Sequence, residues 1–169
     1  MRDQVLSRLP PLGAPLPERL FRYLLDLEIE KANRLRYCVS LVCLTPDLDA
    51  PQANPDLTRA IARIALRQLR STDLATTLSR EVVALLLVDT EPGMVTRILD
   101  RAANAGLPAG RRFVRGRQVV SVSGGASCYP ITAPDRTALL REASDLMHRA
   151  KREGGDRLIL PTLPAPSTN

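Results

Sequence analysis

Three apolar runs, Tyr37 to Leu44, Val82 to Val88 and Gln118 to Ser123, have the length and β-rich character of strands. Stretches with helical spacing separate them. Such a chain can bury both kinds of apolar face only as a layered α/β domain, not as an all-helical or all-strand one. The run Tyr37 to Leu44 lacks strict alternation, which predicts a strand covered on both faces. A first helix is expected over Pro17 to Arg34, where Leu20, Phe21, Leu24, Leu25 and Leu27 recur at helical spacing. A second runs from Asp56 to Arg70, with Asp56 as candidate cap and Ile61, Ala62, Ala65 and Leu69 along one side. A third spans Glu91 to Ala105 and closes at Gly106. A fourth covers Asp135 to Arg152, with Leu139, Leu140, Ala143, Met147 and Ala150 inward. Between the second helix and Val82 there is room for a short strand. Val114 to Arg117 forms a tight turn, and Arg157 to Leu160 a last short strand. Val82 to Val88 is expected to be central, flanked by the strands at Val39 and Val120.

The chain has 169 residues, enough for one domain with a substantial core. Residues 1–16 read as an irregular leader marked by Pro10, Pro11 and Pro15, residues 17–160 as the domain, and residues 161–169 as a flexible tail. No run approaches the roughly 18 apolar residues of a membrane span, and no secretory signal is legible at the start. Cys38, Cys43 and Cys128 have no close-spaced zinc or redox partner, so they read as buried structural thiols in a reducing, cytoplasmic setting. The net charge of +6 comes almost wholly from arginine. These residues are dispersed and no aromatic platform is interleaved with them, which argues against nucleic acid as the partner. Arg111, Arg112, Arg115 and Arg117 form a local positive patch that reads as a solvated loop and hairpin. His148, the single histidine, pairs with no nucleophile or metal-ligand cluster in the sequence.

Order and spacing of several motifs then carry a family resemblance. Arg70-Ser-Thr-Asp73, Ser79-Arg-Glu-Val-Val83 and the segment Val120 to Arg157 together resemble a GGDEF domain, the family that makes cyclic di-GMP from two GTP molecules. Ala84 to Thr90 resembles the strand after the signature. Val120 to Ala126 resembles the family's VTVSIGV strand, and Ala150-Lys-Arg-Glu-Gly154 before Arg157 resembles its C-terminal AKxxG element. The likeness covers about Phe21 to Leu160. It implies a mixed-strand sheet flanked by helices, the layer sandwich of nucleotide-cyclase cores.

The same resemblance implies that the cyclase chemistry is lost. The two signature glycines, over which GTP lies because only glycine lets backbone approach that closely, stand here as Ser79 and Arg80. A metal-binding aspartate aligns with Thr45. Glu81 retains one carboxylate, while the acidic fourth signature position is Val82. Lys151 matches a phosphate-contacting lysine, but its companion arginine is Gly155. Asp47 and Asp49 offer a displaced carboxylate. The expectation is therefore no catalytic residues, no metal and no required cofactor. Arg70 and Asp73 match the family's RxxD product-binding site, with Arg101, or Arg97 one helical turn earlier, as the added arginine. An arginine forks onto phosphate, and a carboxylate accepts from guanine N–H donors. Equally, Arg70 and Asp73 form an ordinary i,i+3 ion pair. Two functions follow: a receptor for cyclic di-GMP acting through a homodimer or a protein partner, or a ligand-free interaction scaffold. A receptor should expose Arg70, Asp73 and Arg101 together.

Overall fold

The computed structural model describes residues 10–11, 13–48, 55–104, 113–115 and 118–163. Four helices and six strands alternate along them: α1 (Glu18–Leu35), β1 (Val39–Asp47), α2 (Pro55–Leu66), β2 (Leu74–Thr77), β3 (Val83–Val88), α3 (Pro92–Asn104), β4 (Phe113–Arg115), β5 (Gln118–Tyr129), α4 (Arg136–Arg152) and β6 (Leu158–Ile159). The sheet order is β2-β3-β1-β5-β4, antiparallel throughout, and β6 adds to β5 in parallel. This is the expected mixed sheet flanked by helices.

Both faces of the sheet are covered. On one, Leu41, Cys43, Ala84 and Leu86 pack against Phe21 and Leu25 of α1 and Leu139, Ala143 and Met147 of α4. On the other, Val42, Leu44, Leu85 and Leu87 meet Ile61, Ala62 and Ala65 of α2 and Val95 and Leu99 of α3. Neighbours in one strand thus feed opposite cores, which is why the strand sequences are apolar without alternation.

Strand order corrects one expectation. β1, not β3, lies at the centre, between β3 and β5. β3 is buried as expected, but its second neighbour is the short β2. Other boundaries also move. β1 runs on to Asp47, and β5 continues to Tyr129 through Gly124 and Gly125, because α4 must cross close to it. A Cβ on Gly125 would stand 2.2 Å from the Met147 backbone N and 2.3 Å from the Ala143 backbone O. α2 ends at Leu66, short of Arg70, because the chain then enters the Arg70 turn. Asp56 lies in the first turn of α2, bonded to Arg59 at 3.1 Å. Asp135 caps α4, accepting from Ala138 N at 2.8 Å. Asp49, Gly106, Arg111, Arg112, Gly116 and Arg117 lie outside the described residues, as do residues 1–9 and 164–169. Among the described residues no helix is long and apolar enough to cross a membrane.

The three thiols are free, with Cys43 and Cys128 buried and Cys38 half-buried. Burial pushes the Cys43 and Cys128 thiols up to about 12 and raises Cys38 as well. A raised pKa keeps the Cys43 thiol protonated at pH 8, and the thiolate is the reactive form. Native protein should therefore leave Cys43 and Cys128 unlabelled by a disulfide-exchange reagent at pH 8, whereas all three cysteines react in urea. Rapid native labelling of Cys43 would contradict this packing.

Candidate functional site

Three sets of sequence-predicted residues come to different places. The first is the turn between α2 and β2. Asp73 N donates to Arg70 O at 3.0 Å, closing a four-residue turn. The Asp73 carboxylate then clamps it: Oδ2 accepts from Arg70 N at 2.9 Å and Oδ1 from Val88 N at 3.0 Å. Val88 ends β3 just beyond the last rung of the β2 ladder, so this carboxylate takes the place of a strand partner for that amide. Asp73 is 5% exposed. Arg70 is exposed and makes no ion pair with it among the described residues, so the i,i+3 ion-pair alternative does not describe this turn. Arg97 and Arg101 are exposed on α3. A cavity of about 440 Å³ lies over the turn, lined by Leu69, Arg70, Ser71 and Asp73 on the domain side and by neither Arg97 nor Arg101. The expected joint exposure of Arg70, Asp73 and Arg101 is thus not what the fold presents: Asp73 is buried.

The second place is the β2–β3 connection, where the signature-like residues lie. Leu78 N donates to Val82 O at 2.8 Å. Inside this loop the Ser79 hydroxyl oxygen accepts from Glu81 N and Val82 N, both at 3.2 Å. The Arg80 carbonyl accepts from Thr58 Oγ1 of α2 at 2.8 Å, which anchors the tip to that helix. The Ser79, Arg80 and Glu81 side chains are exposed and Val82 is half-buried.

The third place is the corner where β1 ends. Thr45 is buried in β1 at 3% exposure. Asp47 accepts three hydrogen bonds, from Ser121 Oγ and Ser123 Oγ, each at 2.7 Å, and from Asp156 N at 2.9 Å. Lys151 Nζ reaches the Pro46 carbonyl at 3.3 Å. Gly155 sits at φ +73°, and a Cβ there would stand 2.9 Å from the Asp47 carboxylate. Only glycine meets both demands without strain. This clamp was not among the expectations from sequence, although a signal existed: Ser121 and Ser123 are two apart on a strand, so both hydroxyls face one side. Among the described residues no group of three or more His, Cys, Asp or Glu could hold a metal ion. His148 is exposed.

No protein-family model and no curated protein sequence matches the chain. Solved structures do. The chain is similar to the GGDEF domain of YfiN (TpbB) from Pseudomonas aeruginosa, with a TM-score of 0.76 and 23% identity over 90% of this chain and 100% of that one. The diguanylate cyclase SiaD of the same organism, solved with its activator SiaC, gives a TM-score of 0.75 at 23% identity, covering 95% of this chain and 66% of that one. The GGDEF domain of DgcB from Caulobacter crescentus, solved with c-di-GMP, gives a TM-score of 0.68 at 15% identity, covering 90% and 94%. The chain has the α/β layer-sandwich fold of GGDEF domains.

Proposed function

We propose that this chain is a GGDEF-fold signalling module that works by binding cyclic di-GMP, without making it, and that passes the signal to a second copy or to a protein partner. The observation that carries the reading is the cavity over the Arg70 turn, with an exposed guanidinium at its side and apolar residues around it. An arginine fork suits a phosphodiester, and apolar walls suit the faces of a guanine ring. The occurrence of c-di-GMP in the DgcB structure makes that ligand the natural first probe.

Loss of turnover is part of the proposal. Two-cation chemistry needs carboxylates free to ligate. At this corner Thr45 offers a hydroxyl, and Asp47 already accepts three hydrogen bonds. Glu81 is exposed at the tip of a serine-closed turn, so the donor set does not fit a two-metal centre. Incubation of purified protein with GTP and magnesium should yield no cyclic di-GMP above a blank, and steady product formation would refute this half of the reading.

Binding is tested by calorimetric titration of wild type, Arg70→Ala and Arg67→Ala at one salt concentration. Arg70→Ala should weaken binding about ten- to hundredfold, the loss of one charge-assisted contact, while the exposed Arg67 should matter little. Equal losses would mean attraction to positive charge alone. A second reading, the ligand-free scaffold, is favoured by one observation: both Asp73 oxygens are already engaged by backbone amides. Absence of wild-type binding at high micromolar ligand would decide for it.

A further inference from the structure

The cavity over the Arg70 turn has a second wall, and it comes from the other end of the sequence. Pro10, Pro11 and Ala14 of the leader face Leu69, Arg70 and Asp73 across it. The leader is folded to do so. Ala14 N donates to Pro11 O at 3.0 Å, with Gly13 at φ +80°, a turn that only glycine enters easily. Among the described residues it is then fastened to the sheet at one point. Leu16 N donates to Ala75 O at 2.8 Å, Thr76 Oγ1 donates to Leu16 O at 2.7 Å, and Leu16 and Thr76 form a single parallel bridge. Pro15 and Pro17 flank that bridge and have no N–H, so neither neighbour of Leu16 can donate a further ladder bond. A one-point fastening is inherently easy to open. Immediately afterwards α1 begins, with Phe21 N bonded to Pro17 O at 3.0 Å.

We infer that Pro10, Pro11 and the stretch Gly13 to Leu16 are a ligand-closed wall of the Arg70 cavity: cyclic di-GMP bound there holds these residues onto the β2 edge, and the state of this latch is what the ligand changes in the molecule. The inference rests on the receptor reading above. Residues 10–17 carry no charged side chain, so this stretch does not imitate the anionic ligand or compete for Arg70. It supplies apolar surface on one side of the space while the domain supplies the arginine on the other. A ligand touching both walls binds the latched form better than the open form, and the two equilibria must then favour one another reciprocally.

Amide exchange of the full chain, with and without cyclic di-GMP, tests this at the Leu16 N–H. Saturating ligand should slow Leu16 exchange roughly tenfold. Thr76→Val removes the hydroxyl bond at nearly constant volume; it should speed Leu16 exchange in the free protein and weaken ligand binding about fivefold. Leu16→Pro removes the backbone bond together with a side chain that packs on the core and lines the cavity, so it is read against Leu16→Ala, which keeps the N–H: binding should fall further in Leu16→Pro even if Thr76→Val fails to fold. Ligand binding with unchanged Leu16 exchange, or with full affinity in Thr76→Val and no further loss in Leu16→Pro than in Leu16→Ala, would overturn the latch and leave the receptor reading standing. No ligand binding, with Leu16 slow in wild type and fast in Thr76→Val, would overturn both and leave only a structural strap.

Discussion

Replacing Gly125 by alanine should destabilise the domain by about 3 kcal/mol, measured by urea unfolding, with some loss of cooperativity. The added methyl meets the Met147 N, the Ala143 O and the Leu146 C of α4 at 2.2, 2.3 and 2.7 Å. These are backbone atoms of a helix, so no rotamer change relieves the overlap. The whole of α4 must lift from β5, and with it the buried contacts of Leu139, Ala143 and Met147. Gly93→Ala is the matched control. It lies in the first turn of α3 with nothing within 4 Å of an added Cβ, so it should be neutral or stabilising by a few tenths of a kcal/mol. If Gly125→Ala costs less than about 0.5 kcal/mol, α4 does not pack on β5 as closely as described.

The second large effect is expected at Asp73. Asp73→Ala removes the acceptor for two backbone amides, Arg70 N and Val88 N, at a site almost closed to water. Bonds to a charged acceptor contribute roughly 1.5–3 kcal/mol, and an unsatisfied buried amide adds its own cost, so a loss of about 2–4 kcal/mol is expected. Asp73→Asn should recover about half, since it keeps one acceptor oxygen and turns an N–H against the other donor. Amide exchange at Val88 should rise in both. Arg70→Ala, at an exposed side chain without an ion pair among the described residues, should leave stability within about 0.5 kcal/mol. The contrast matters for function. Lost cyclic di-GMP binding in an Asp73 variant reports a collapsed turn as readily as a lost guanine contact, so Arg70 is the residue on which ligand recognition should be judged. A neutral Asp73→Ala would reverse this and leave the carboxylate spare for a ligand.

The sequence by itself determined the four helices, the strands β1, β3 and β5, and the fold class, whereas Val114 and Arg115, expected in a turn, lie in β4 because they pair with β5. Val82 to Val88 and the α4 stripe Leu139-Ala143-Met147-Ala150 were legible because each is a local pattern, a run or a period. Tertiary structure decided what periodicity does not encode. Which strand is central depends on pairing between distant segments, and so β1 rather than β3 took the middle. The roles of the carboxylates were likewise decided by what the fold brought to them: Val88 came to Asp73 from 15 residues away, and Ser121 and Ser123 came to Asp47 from 74 and 76 away. Arg70-x-x-Asp73 therefore reads in sequence as a pair of side chains acting together, but it folds into an exposed cation beside a buried clamp, because two backbone amides needed an acceptor there and water could not supply it.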